Sequence, residues 1–271
     1  MDPSGEEATV SDEFHTAWMA RMQQAERTAK DVIDICSKLP ANPFEARARL
    51  HSTASKLEAS GLRPLAPPMD LVRHVEDECV RARAEFWDQM AEACRRKEWP
   101  IDGSTNRRLV GRGLIIELTD DEVRIDEISL RLSPHAASVV EVIAGEVSAL
   151  VPTDFNPERY MALLVTAYDA APGGVEKPLE AVYRAAVFAS QKSAFWKGLN
   201  PDHFVRLTRP AFRARLARLL HLGTRTADGR EIRFGSTVVA KDAWEVYSPG
   251  EERLVQVGRI SLGYAGSQHE H

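Results

Sequence analysis

Residues 113–132 read GLIIELTDDEVRIDEISLRL, and this stretch decides the fold class. Its apolar residues fall in three short runs with a two-residue rhythm: Leu114, Ile115, Ile116 and Leu118, then Val123 and Ile125, then Ile128, Leu130 and Leu132. That rhythm marks strands, and Thr119-Asp120-Asp121-Glu122 is a turn by composition. A meander of three strands cannot bury both of its faces, so helices must cover at least one. Apolar residues on either side recur every three or four positions. The expected class is therefore α+β, with a central three-stranded meander covered by helices.

Upstream, residues 12–39 carry a regular stripe of Trp18, Met22, Ala25, Ala29, Val32, Cys36 and Leu39, spaced like the a/d seam of a heptad repeat. Ser11 is placed to cap this helix. Asn42-Pro43 opens a second helix and Gly61 is placed to end it, while the prolines between 64 and 68 forbid a continuous helix. A third helix is expected over 69–97, with Val72, Val75, Cys79, Ala82, Phe86 and Met90 on one face. An antiparallel helical unit follows. Its seams are either covered within the chain or left open, and one short middle helix cannot cover two long stripes. Trp18, Met22, Val32 and Leu39 are thus candidate contacts for a protein partner or a second copy.

Downstream, helices are expected near 135–150, 156–171, 178–191 and 210–221, the last with Thr208 as its cap. Strands follow at 231–234, 237–240, 244–247 and 254–260, as a winged-helix or barrel-like cap. The order helix, helix, hairpin imitates a winged helix, although the roughly twenty residues between its helices exceed the usual tight turn. The organisation expected is a disordered tail (1–10), a helical, coiled-coil-like domain (11–102), the meander with helices (103–175), a basic region with its cap (176–264) and a tail (265–271).

The 271 residues are 44% hydrophobic and 28% charged, which excludes a disordered or collagenous chain. Cys36, Cys79 and Cys94 lie in helical segments and read as buried thiols of a reducing compartment. The acidic N-terminus is unlike a secretion signal, and no run is long and apolar enough to span a membrane. A cytoplasmic location is expected. Net charge is −5, yet Lys192 to Arg233 holds ten cations against Asp202, Asp228 and Glu231. Arginine dominates that window: Arg206, Arg209, Arg213, Arg215, Arg218, Arg225, Arg230 and Arg233 are candidate phosphate contacts. Phe195, Trp196 and Phe204 interleave with it, a composition suited to single strands or bent duplex ends where the rings are exposed.

Catalytic signatures are weak. Asp120, Asp121, Glu122, Asp126 and Glu127 cluster as magnesium-binding carboxylates do, but no lysine follows to polarise a phosphate. His74 and Glu78 stand at ligand spacing without a second histidine. Gly111-Arg112-Gly113 lacks the later residues of a phosphate-cradling loop. No cofactor or metal is expected. The reading these observations favour is a non-catalytic adaptor or accessory subunit of a multiprotein assembly acting on nucleic acid (DNA or RNA), with no membrane contact. The alternative is a divalent-metal nuclease or phosphoesterase using Asp120, Asp121, Asp126 and Glu127.

Overall fold

The N-terminal stripe folds as one long helix, α1 (Ser4–Lys38), which starts ahead of the expected Ser11 cap. The computed structural model describes residues 4–39, 41–59, 67–103, 106–119, 122–125, 130–237, 243–251 and 253–264. Helix α2 (Pro43–Ala59) begins as its sequence suggests, the Asn42 side chain accepting from the Glu45 N–H at 3.3 Å. The single helix expected over 69–97 is two, α3 (Met69–Ala84) and α4 (Phe86–Arg96). The hydrogen-bond ladder continues across Glu85, whose N–H reaches the Arg81 carbonyl and whose carbonyl accepts from Gln89, both at 3.0 Å, so the interruption is local to that residue.

The chain divides into two compact units, residues 1–89 with 133–136, and 90–132 with 137–271. In the first, α2 runs back along α1 and α3 packs on α2. Ile35, Phe44, Ala46, Leu50, Val75 and Cys79 form its core, each large aliphatic contributing about 1.5–3 kcal/mol on burial. Arg49 of α2 pairs with Asp34 of α1.

The second unit opens with a five-stranded antiparallel meander: β1 (Ile101–Asp102), β2 (Arg107–Val110), β3 (Leu114–Leu118), β4 (Val123–Ile125) and β5 (Leu130–Leu132), paired in sequence order. Two strands thus precede the three expected. Leu114, Ile115 and Ile116 of the central strand are all buried, so both faces of the sheet are covered there. The β2–β3 hairpin pairs Val110 with Leu114 around Gly111-Arg112-Gly113, where Gly111 and Arg112 take positive φ of 61° and 58°. A Cβ at Gly113 would stand 2.6 Å from the Pro210 carbonyl oxygen and 2.8 Å from Leu150. Only glycine permits that approach.

Helices α5 (Ala136–Leu150), α6 (Pro157–Ala170), α7 (Leu179–Ala189), the short α8 (Ser193–Gly198) and α9 (Arg209–His221) follow. Asn156 and Thr208 cap α6 and α9 with their side-chain oxygens. The C-terminal strands make two small antiparallel sheets: β6 (Lys177–Pro178), β10 (Arg259–Tyr264) and β7 (Arg230–Gly235) in one, β8 (Trp244–Ser248) and β9 (Arg253–Val257) in the other. The run 254–260, expected as one strand, therefore divides at Gly258 between the two sheets. Of the strand expected over 237–240, only Thr237 lies within the described residues, and it is not in a strand. One core joins Leu164, Leu179, Phe212, Trp244 and Ile260, so the domain boundary expected near 175 falls inside a single packed interior.

Candidate interaction surfaces

Helix α1 spans about 50 Å at 1.5 Å per residue, twice the length of α2. The Asp34–Arg49 pair marks their antiparallel register and puts the end of α2 at about residue 25 of α1. Beyond that point residues 15–23 are all exposed. Trp18 and Met22 are each 50% exposed, and the open stripe continues through Ala29, Ile33 (69%) and Cys36. Val32 is partly buried and Leu39 packs on the core. Of the two rows of the seam, Ala25, Val32 and Leu39 turn inward while Ala29 and Cys36 stay exposed, and Trp18 and Met22 are both open because α2 stops short of them. Cys36 is accordingly exposed, whereas Cys79 and Cys94 are buried, with their thiol pKa values raised by burial.

The arginines of the basic window divide into three groups. Arg213 is 3% exposed and donates to the Gly113 carbonyl at 2.5 Å, its guanidinium lying over the Trp244 ring. Arg215 donates to the Leu150 carbonyl at 3.0 Å. These two secure the β2–β3 turn and the end of α5, and do not face outward as phosphate contacts would. Arg209 pairs with Glu180 at 2.9 Å, Arg230 with Asp228 at 2.8 Å, and Arg225 and Arg233 each approach Glu231 to 3.8 Å. Arg206 and Arg218 are exposed and have no ion-pair partner among the described residues.

Between α7 and α9 the chain makes a closed excursion. The Gln191 side chain, itself buried, donates to the Val205 carbonyl at 2.9 Å and accepts from the Val205 N–H at 2.8 Å. This pair ties the neck of a loop spanning 192–204. Inside it, α8 ends at Leu199 in the left-handed region (φ 47°), and Asn200 caps a 3-10 turn at Pro201–His203. The rings of Trp196, Phe195 and Phe204 stack edge-on in series, with centroids 5.1 and 5.5 Å apart. Trp196 is 50% and Phe204 43% exposed. Lys192 and Lys197 are exposed on the same segment. The composition of the loop is legible in the sequence, but its Gln191 clasp is not.

A larger cleft of about 890 Å³ lies along α7, floored by Ala181, Ala185 and Phe188. Its rim charges are matched, Arg184 with Glu180 at 2.9 Å and Arg259 with Glu176 at 3.9 Å. Asp120, Asp121, Asp126 and Glu127 lie outside the described residues. Their described neighbour Glu122 is held by Arg124 at 2.7 Å and Arg131 at 3.4 Å. No cluster of metal-ligating side chains occurs among the described residues, and Cys79, next to Glu78, belongs to the core. No described helix is long and apolar enough to cross a membrane. Comparison with protein-family models, with characterised proteins and with solved structures gives no match.

Proposed function

We propose that this protein is a non-catalytic adaptor, an accessory subunit of a cytoplasmic assembly acting on nucleic acid, and that the projecting half of α1 is its protein-binding element. The observation that carries this reading is the run of exposed positions 15–23 with Trp18 and Met22 beyond the reach of α2. An isolated helix of that length is marginal in water, and apolar side chains gain from a partner that covers them. Nucleic-acid contact falls to the second unit, where cations and exposed rings coincide.

The test is affinity purification of the tagged full-length chain and of a Trp18→Glu, Met22→Glu variant from the native host, followed by sedimentation. A stoichiometric companion, or self-association, that the variant loses at unchanged helicity is the expected result. A wild-type chain that sediments as a monomer and brings down nothing that the variant fails to bring down would overturn the reading.

A further inference from the structure

We infer that the tied loop 192–204 and the cleft beside it form a binding site for single-stranded nucleic acid. The inference rests on the nucleic-acid half of the proposed function and moves the contact away from the arginine face of α9. The loop neck opens beside a cleft of about 470 Å³ lined by Tyr183, Phe204, Arg206, Thr208 and Arg209, with Glu146 as its acid. That volume falls within the range of ligand sites, roughly 300–1,000 Å³. Lys192, Lys197 and Arg206 carry no ion pair among the described residues, and the loop itself contributes one acid, Asp202. Positive charge is thus free at the place where rings are exposed.

Chemistry selects the occupant. Flat rings offered at the surface stack on bases, which requires bases not already stacked in a duplex, and this recognition tolerates any sequence. Phosphates would lie on Arg206 and the two lysines, and Phe204, which lines the cleft and is stacked on Phe195, links the pocket to the outer ring of Trp196. A lipid surface would also take Trp, Leu and Lys, and its headgroup phosphates pair with arginine as well, but the Tyr183 and Phe204 rings that line the recess favour a base that can stack there. The Gln191–Val205 clasp supplies preorganisation, because a loop closed at its neck loses less freedom on binding.

The experiment is fluorescence anisotropy of the full-length chain with a labelled oligothymidine of about 20 nucleotides and with a duplex of equal length, plus co-sedimentation with phosphatidylcholine–phosphatidylserine vesicles. The single strand is expected to bind more tightly than the duplex. About three neutralised phosphates predict roughly twentyfold weakening for a fourfold rise in salt. Trp196→Ala or Phe204→Ala is expected to raise Kd about tenfold or more. Arg206→Glu, at an exposed position, is expected to lower the salt dependence without changing the thermal melt. Binding by the wild type that survives Trp196→Ala and Arg206→Glu but is lost on Arg218→Glu overturns this site while leaving nucleic-acid contact standing. No binding of either oligonucleotide overturns both, and binding to vesicles alone identifies a lipid surface and overturns the assignment.

Discussion

At the scale of single residues, the same amino acid does opposite work a few positions apart. Arg213 is sealed against the Gly113 carbonyl, whereas Arg218 lies in solvent. Arg213→Met is expected to destabilise the fold by about 1.5–3 kcal/mol, through loss of a buried charge-assisted hydrogen bond, and Arg218→Met by less than about 0.5 kcal/mol. Urea titration of the two variants checks this contrast. Gly113→Ala should cost about 1–3 kcal/mol by the same measurement, since its methyl group would meet the Pro210 carbonyl and Leu150. Lys177 is another inward cation. It is buried, donates to the Tyr168 and Ala171 carbonyls at 2.5 and 2.8 Å, and so supplies positive charge at the C-terminal end of α6. His135 adds a pH dependence. Burial holds its pKa below the ordinary value, against a smaller opposing effect from the Ala41 backbone. The unfolded chain therefore takes up this proton first, so stability is full above about pH 6.5 and declines as the pH falls below it. His135→Gln should flatten that decline in denaturant titrations at about pH 7.5 and 5.5.

At the scale of elements, α1 is two helices in one, a packed half and a projecting half. Ile35→Ala is expected to cost about 2–5 kcal/mol, and Trp18→Glu close to nothing in the isolated chain. Chemical denaturation followed by circular dichroism separates the two. Most elements were legible because their apolar periods are clean: the three meander strands that begin at Leu114, the capped helices α6 and α9, and the α3 face at Val75 and Cys79. What escaped was set by neighbours rather than by local pattern. β2 reads Arg107-Arg108-Leu109-Val110, half charged, and becomes a strand because it pairs with β3. Residues 254–260 read as one strand because periodicity does not register that Gly258 passes the chain from one sheet to another. The stripe of α1 was visible from Trp18 to Leu39, but which end stays open depends on where α2 stops. Arginine orientation was invisible for the same reason, since the Gly113 and Leu150 carbonyls that capture Arg213 and Arg215 come from distant parts of the chain.

At the scale of the whole molecule, charge counted along the chain overstates charge available in space. The window from Lys192 to Arg233 holds ten cations against three acids, yet Glu180, Asp228 and Glu231 engage four of its arginines and backbone carbonyls take two more. Any attraction for an anion is therefore local, and the net charge of −5 opposes adhesion elsewhere. The side-chain amide bridge from Gln191 to Val205 has a further consequence. It brings the scaffold together on either side of the intervening stretch, so those thirteen or so residues are an appendix that the interior does not need. Cutting out 192–204 and joining the stumps with a few glycines should leave the melting temperature within a few degrees of the parent, as scanning calorimetry would show. Sequence change in the segment is therefore expected to carry little cost to folding.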